Sequence, residues 1–85
     1  MMFDIRYSKQ AVNFLKSAEK KLITRIMMKI ETLRDNPIQH DSKVVEGYNE
    51  KLFRIRVGDY RILYEVDYKR NQLGIVKIDK RSKIY

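Results

Sequence analysis

The chain has 85 residues, no cysteine and one histidine, and its nineteen Lys and Arg outnumber eleven Asp and Glu to give a formal net charge of +8. This length predicts one small domain over residues 1–85, with little room for an enclosed active site. The composition excludes disulfides, thiolate chemistry and a histidine zinc cluster, and the charge favours a polyanionic partner, nucleic acid before an acidic protein.

The first ten residues, MMFDIRYSKQ, lack the apolar core and small-residue cleavage site of a signal peptide. No apolar run in the sequence is long enough to cross a bilayer. We therefore expect a cytoplasmic protein that has no membrane partner.

The N-terminal half predicts one strand and two helices. Residues 2–7, MFDIRY, alternate apolar and charged side chains, as a strand with one buried face does. Ser8 suits the N-cap of a short helix over KQAVNFLKSA. A second helix is predicted from about Glu19 to Arg34, where apolar residues recur at steps of three and four. Asn36 and Pro37 end it, so that the two helices form a hairpin.

The C-terminal half predicts strands. Residues 36–50 are irregular and are interpreted as a connection, and strand patterns follow over 52–57, 60–67 and 72–79, with YKRN as the turn between the last two. The order β-α-α-β-β-β predicts an α+β fold. The helical hairpin is expected on one face of a four-stranded antiparallel sheet whose pairing is mixed at the edge.

Gly58 and Asp59 fit a two-residue turn, which sets the register of a hairpin. Val57 should then pair with Tyr60, and Arg56 with Arg61. The face packed against the helices is predicted to carry Phe53, Ile55, Val57, Tyr60, Ile62, Tyr64 and Val66. The opposite face, predicted to be open, carries Leu52, Arg54, Arg56, Arg61, Leu63 and Glu65.

The predicted pair of arginines raises the question of a missing anion, because like charges directly across a sheet destabilise it. Arg and Lys are also common on the solvated face of a half-buried sheet, so this ordinary interpretation stays open. Glu65 is the only acid that the pattern places nearby on this face.

The tail IDKRSKIY adds further cations, unless it is only a solvated end. It would bring Lys80, Arg81, Lys83 and Tyr85 beside the arginines. Guanidinium groups next to an aromatic ring suit single-stranded RNA, whose phosphates they bind and whose bases they stack.

The sequence lacks paired glycosidase carboxylates, a Ser-His-Asp set, a glycine-rich phosphate loop and metal-ligand spacings. His40 lies in the irregular segment and is interpreted as a surface residue. Any reaction must therefore use Arg, Lys and Tyr, and we expect neither a metal nor another cofactor. Cleavage of RNA by its own 2′-hydroxyl fits this set, because the substrate brings the nucleophile.

The segment LFRIRVGDYRILYEV follows a helical hairpin ending ETLRDNP and precedes IVKIDKRSKIY. Together these segments resemble the RelE/ParE toxin superfamily, and within it the RelE branch, over almost the whole chain. The resemblance implies a RelE-like microbial RNase fold and the toxin of a type II toxin-antitoxin system. Such a toxin is a ribosome-dependent mRNA interferase, an endoribonuclease that cuts mRNA in the A site and contacts ribosomal RNA. It also implies an acidic antitoxin as partner.

The resemblance also assigns residues. By position, Arg61 is similar to the arginine that contacts the scissile phosphate, and Tyr85 to a tyrosine that stacks on or hydrogen-bonds the RNA. The implied catalytic residues are Arg56, Arg61, Arg81 and Tyr85, and the implied RNA-binding residues are Arg54, Lys80 and Lys83.

The sequence departs from the RelE pattern at one point. Arg54 and Arg56 stand where the best-known RelE enzymes have two lysines, and a guanidinium group effectively never loses its proton. The general base is then Lys80, Lys83 or Tyr85, or the protein works by positioning and charge.

Two other functions remain open. One is a ParE-like inhibitor of DNA gyrase without RNase activity, and the other is an inactive basic RNA-binding module, since a fold does not determine a function. Tyr85 favours RelE, because ParE relatives tend to lack the terminal tyrosine.

Overall fold

The computed structural model describes residues 2–47 and 51–84, with the side chains of residues 83 and 84 left out. The elements in chain order are β1 (Asp4–Tyr7), α1 (Lys9–Ser17), α2 (Lys20–Thr32), β2 (Lys43–Val45), β3 (Leu52–Val57), β4 (Tyr60–Asp67), β5 (Gln72–Lys80) and α3 (Arg81–Ile84). None of the helices in the described residues is long and apolar enough to cross a membrane.

The strands form one mixed sheet in the order β1-β5-β4-β3-β2. β1 runs parallel to β5, and the other neighbours are antiparallel. The predicted α+β class, with two helices on a sheet that is mixed at its edge, is confirmed. The sheet has five strands instead of four, because the segment predicted as irregular contains β2. This strand has three residues, too few for a periodic pattern to be recognised.

The two long helices pack on one face of the sheet. The Ser8 side chain caps α1 by accepting a hydrogen bond from the Ala11 amide at 3.1 Å, as predicted. The same hydroxyl donates to the Val76 carbonyl at 2.7 Å, which holds the start of α1 against β5. The helices bury Ala11, Ile26, Ile30 and Leu33 in the core with Phe53, Ile55, Ile62, Tyr64, Leu73, Ile75 and Ile78 of the sheet.

The β3–β4 hairpin has the predicted register, with Val57 opposite Tyr60 and Arg56 opposite Arg61. Gly58 has a φ of 57°, in the left-handed region that glycine adopts without strain, whereas φ of Asp59 is not positive. This is the geometry of a turn with glycine at its first central position. The register places alternate residues of both strands on the helix-covered face, as predicted.

A bulge interrupts the pairing of β4 with β5. Leu63 is opposite Lys77 and Tyr64 is opposite Ile75, so that Val76 has no cross-strand partner of its own. Val76 packs with Leu52 and Leu63 on the face away from the helices. Lys77 shares this face because it is opposite Leu63.

Tyr64 ties the connection before β2 to the sheet. Its side chain is fully buried, its hydroxyl donates to the Pro37 carbonyl at 2.6 Å, and it lies 2.7 Å from the Ser42 hydroxyl. Burial raises the pKa of the Tyr64 phenol, so that it remains a hydrogen-bond donor. Ser42 in turn accepts the Gln39 amide at 2.9 Å. These bonds position the residues from which β2 begins.

Replacing Tyr64 with phenylalanine should therefore destabilise the fold. Tyr64→Phe keeps the buried ring but leaves the Pro37 carbonyl without its donor, which should lower the free energy of unfolding by about 1 to 3 kcal/mol. Urea unfolding measures the loss. Tyr68→Phe is the control, because the Tyr68 side chain is 63% exposed, and equal midpoints for the two variants would contradict this role for the Tyr64 hydroxyl.

Candidate functional site

Positive charge collects on the sheet face opposite the helices, at the end where the β3–β4 turn lies. We call this surface the arginine face. It is formed by Lys43 of β2, Arg54 and Arg56 of β3, Arg61 of β4, and Lys77 and Asp79 of β5, which the strand registers bring to one side.

At the centre of the arginine face, Arg56 and Arg61 lie directly opposite each other. Arg56 is exposed and forms no ion pair with a carboxylate of the described residues. Arg61, in contrast, is only 4% exposed. Its Nη1 donates to the Tyr60 carbonyl at 3.2 Å and, more weakly, to the Gly58 carbonyl at 3.4 Å, so that the guanidinium group lies at the turn.

The prediction that the Arg61 side chain is open to solvent is wrong. Arg61 is on an inner strand between β3 and β5, and α3 packs against β4 and β5 at this end of the sheet. A guanidinium group in such a place is largely shielded from water, which strengthens its interaction with any anion that reaches it.

An acidic side chain also stands beside Arg61. Asp79 of β5 is its cross-strand partner on the side away from Arg56, so Glu65 is not the only nearby acid on this face, and that prediction is wrong. The hairpin alone could not reveal Asp79, because it lies on a third strand. Arg61 therefore lies between a like charge on β3 and an opposite charge on β5, and Asp79 offsets part of the repulsion.

The rest of this sheet face is less basic and less open than predicted. Leu52 and Leu63 are 0% and 1% exposed and pack with Val45 and Val76 in a small apolar cluster. The far end of the face has mixed charges, contributed by Asp4, Arg6, Glu65 and Asp67. A polyanion would thus meet its strongest attraction at the turn end.

The C-terminal residues divide between the two faces. The Arg81 amide donates to the Asp59 carbonyl at 2.9 Å, which brings this exposed residue to the β3–β4 turn. Lys80 is opposite Tyr60 and so shares the helix-covered face, and its predicted place with the arginines is wrong. β5 continues through Lys80, and strand alternation points this side chain the other way.

Two other predicted residues cannot be placed in this way. The side chain of Lys83 lies outside what the structure describes, and Tyr85 lies outside the described residues altogether. Their roles stay predictions.

Sequence reasoning missed two lysines of the arginine face. Lys43 is opposite Arg54 in the unpredicted strand β2, and Lys77 reaches the face through the bulge. Neither β2 nor the bulge leaves a periodic pattern, although a lysine inside the last predicted strand was a visible signal. Unlike guanidinium groups, lysine side chains can release a proton.

The arrangement can bind an anion without a metal. Within residues 2–47 and 51–84, no three His, Cys, Asp or Glu side chains are grouped as a metal site requires. Guanidinium groups bind the oxygen atoms of phosphate or carboxylate in pairs of parallel hydrogen bonds. His40 is exposed in the connection before β2.

Comparisons with known proteins point to one family of toxins. A family model described as the ParE toxin of type II toxin-antitoxin systems matches residues 5–85. A protein assigned as toxin RelE1 of Methanocaldococcus jannaschii is 31% identical over 88 residues, which cover 100% of this chain and 97% of that protein.

Solved structures of RelE toxins have the same fold as this chain. A chain of the archaeal RelE-RelB complex from Pyrococcus horikoshii OT3 has a TM-score of 0.82 and 30% identity, covering 98% of this chain and 99% of that chain. The isolated E. coli RelE toxin has a TM-score of 0.79 over 98% of this chain and 90% of that chain. Its 16% identity shows the fold alone. The chain belongs to the RelE/ParE superfamily and is a RelE-like toxin of a toxin-antitoxin system.

Proposed function

We propose that this toxin is an endoribonuclease that cuts mRNA in the ribosomal A site, with the 2′-hydroxyl of the RNA as nucleophile. The observation that supports this most directly is the pair of Arg56 and Arg61 at the basic end of the sheet. Resemblance to RelE toxins supplies the ribosome and the mRNA as the substrate.

A phosphate between Arg56 and Arg61 would make this pair favourable. Like charges directly across a sheet cost up to about 1 kcal/mol. A hydrogen bond to a charged group contributes about 1.5 to 3 kcal/mol, and two guanidinium groups can form several with one phosphate. The gain on binding therefore exceeds the repulsion, and the burial of Arg61 strengthens it further.

In the proposed reaction, the 2′-oxygen loses its proton and attacks phosphorus while the bond from phosphorus to the 5′-oxygen breaks. The products are a 2′,3′-cyclic phosphate and a 5′-hydroxyl, whose oxygen takes its proton from water. Negative charge grows on the non-bridging oxygen atoms, where Arg56 and Arg61 stabilise it. Arg81 adds a third cation from the turn, and Arg54 binds the backbone of a neighbouring nucleotide. Binding that fixes the 2′-oxygen in line with the leaving 5′-oxygen further increases the cleavage rate.

The reaction also needs a group that takes the proton of the 2′-hydroxyl. Arg54 and Arg56 cannot do so, since guanidinium keeps its proton. We assign this role to Lys77, which is on the same strand and face as Asp79, the partner of Arg61. Lys83 and Tyr85 are the alternatives that the sequence predicts.

An acidic antitoxin that covers the arginine face would hold the toxin inactive. Carboxylates can replace the phosphate between Arg56 and Arg61, and such association weakens with salt. Similar archaeal toxins crystallised as RelE-RelB complexes, one from Pyrococcus horikoshii and one from Methanococcus jannaschii, which supports a partner of this kind.

A second candidate function is poisoning of DNA gyrase. The match of the ParE family model to residues 5–85 favours it. A supercoiling assay distinguishes the two functions: inhibition of purified gyrase, together with intact mRNA in a translation reaction, would establish the gyrase function and refute the ribonuclease.

The ribonuclease proposal predicts different outcomes for the two central arginines. Arg56→Ala should reduce A-site cleavage of mRNA by about 100-fold with the free energy of unfolding unchanged, because the residue is exposed. Arg61→Ala should reduce cleavage similarly and also lower the free energy of unfolding by about 1 to 3 kcal/mol, since its side chain is buried and bonded to the turn.

Primer extension on mRNA from a translation reaction measures the cleavage, and urea unfolding measures the stability. Arg70→Ala is the control, because the Arg70 side chain is 78% exposed and lies in the turn at the far end of the sheet. Wild-type cleavage by Arg56→Ala would exclude the proposed phosphate site.

The assignment of Lys77 predicts that its amine is required for cleavage. Lys77→Arg keeps the positive charge but cannot accept the proton, so its cleavage rate should fall by about 100-fold. Single-turnover rates of the wild type and of Lys77→Arg measure this, and wild-type cleavage by Lys77→Arg would assign the proton to another group.

A further inference from the structure

A small pocket lies on the sheet face opposite the helices, at the end far from the β3–β4 turn. Its volume of about 180 Å³ is below the roughly 300 to 1,000 Å³ of pockets for drug-sized ligands. The proposed cleavage uses none of the residues that line it. Its polar lining consists of Arg6, Glu65, Asp67, Arg70 and Gln72, around Gly74.

Gly74 forms the floor of this pocket. The strand registers place Gly74 between Arg6 of β1 and Glu65 of β4, so that opposite charges flank a position without a side chain. The Glu65 carboxylate lies over the glycine, with Oε1 3.0 Å from the position that a Cβ atom on Gly74 would occupy. A larger residue would displace this carboxylate, so the glycine determines where the Glu65 oxygen atoms lie.

Glu65 and Arg6 keep their hydrogen-bonding capacity for a ligand. Within the described residues, neither side chain forms a hydrogen bond or an ion pair, although Glu65 is half-buried. Asp67 differs, because its Oδ1 accepts the Arg70 amide at 3.1 Å and its Oδ2 lies 3.9 Å from Arg70 Nε. The Arg70 side chain is 78% exposed and stays at the rim.

The charges of the lining select the kind of ligand. Glu65 and Asp67 repel a phosphate, and Arg6 repels an ammonium group. A neutral group that donates hydrogen bonds on one edge and accepts them on another satisfies both Glu65 and Arg6. Nucleobases are neutral rings of this kind, and single-stranded RNA presents them unstacked, with their edges open to hydrogen bonds.

The position of the pocket also suits an RNA strand bound at the arginine face. Glu65 follows Arg61 by four residues on β4, which corresponds to about 13 Å along the strand. Leu63 lies between them, and its cross-strand partners are Arg54 and Lys77, so cations stand on both sides of this path. An RNA strand whose scissile phosphate lies at Arg61 can therefore place one of its bases at Glu65.

Guanine matches the two charged groups better than the other bases do. Its N1–H and 2-amino groups are adjacent donors that a carboxylate accepts as a pair, and its O6 and N7 atoms are acceptors that an arginine binds bidentately. Adenine has an acceptor at N1, which a carboxylate repels. Cytosine and uracil lack N7, which leaves Arg6 with fewer acceptors.

We propose that this pocket binds a guanine base of the mRNA and makes the toxin selective for guanosine near the cleavage site. Glu65 accepts the N1–H and 2-amino donors, Arg6 donates to O6 and N7, and Gly74 leaves room for the ring. The proposal rests on the proposed function in taking mRNA as the substrate. Sequence selectivity then resides at the end of the sheet opposite the scissile phosphate.

Binding of short RNA to the full toxin tests the pocket separately from cleavage. The probes are oligouridylates with a central guanosine, inosine or adenosine, in which every 2′-hydroxyl is methylated so that the RNA cannot be cut. The guanosine probe should bind at least about tenfold more tightly than the adenosine probe. It should bind at least about fivefold more tightly than the inosine probe, because inosine lacks the 2-amino group. Fluorescence anisotropy measures the affinities, and this comparison requires no variant.

Variants assign the selectivity to residues. Glu65→Gln keeps the shape of the side chain but cannot accept two adjacent hydrogen bonds, so the guanosine and inosine probes should differ less than about twofold. Glu19→Gln, the same change at the exposed start of α2, is the control and should keep the wild-type preference. Arg6→Ala should weaken guanosine binding at least about fivefold, whereas Arg70→Ala at the rim should alter it less than about twofold. Circular dichroism checks that each variant folds.

Cleavage of ribosome-bound mRNA distinguishes the failures. If the wild type binds all probes equally, or if Glu65→Gln keeps the preference, the guanine pocket is overturned whether or not mRNA is cut. If the preference depends on Glu65 while no mRNA is cut, the ribonuclease is refuted and the pocket stands. If mRNA is cut, the wild type should prefer sites with guanosine at one fixed position, and the same preference in Glu65→Gln would overturn the proposed selectivity.

Discussion

The turn at Gly58 and Asp59 is the constraint on which the arginine face depends. Its left-handed glycine sets which residues of β3 and β4 face each other, and a slip by one residue would exchange the core and the arginines. The same register places the Arg56 side chain on the same face as that of Arg61.

The burial of Arg61 gives the site its electrostatic character. A shielded charge is costly unless it has hydrogen-bond partners, and here the carbonyl oxygens of Tyr60 and Gly58 meet part of that requirement. Exposed Arg56 needs no such support. The pair therefore combines a fixed guanidinium group with one that can adjust, which suits binding of a phosphate whose charge distribution changes during reaction.

Much of this arrangement could be predicted because local rules operate over long segments. Alternation in residues 2–7, helical spacing before Pro37 and the turn at Gly58 all correspond to observed elements. Other features depend on contacts between segments distant in sequence. β2 is too short to show a period, Asp79 meets Arg61 only after β5 has paired, and the direction of Lys80 depends on where that strand ends. The burial of Arg61 likewise depends on the assembled sheet, in which β4 is an inner strand.

The bulge at Val76 has a consequence for how related sequences are compared. Because β5 carries one extra residue between Ile75 and Ile78, a relative that lacks either Val76 or Lys77 would keep every other core and charged residue of the strand on its present face. A gap at this point of an alignment is therefore compatible with the sheet. A gap elsewhere in β5 would match core positions of one protein to surface positions of another.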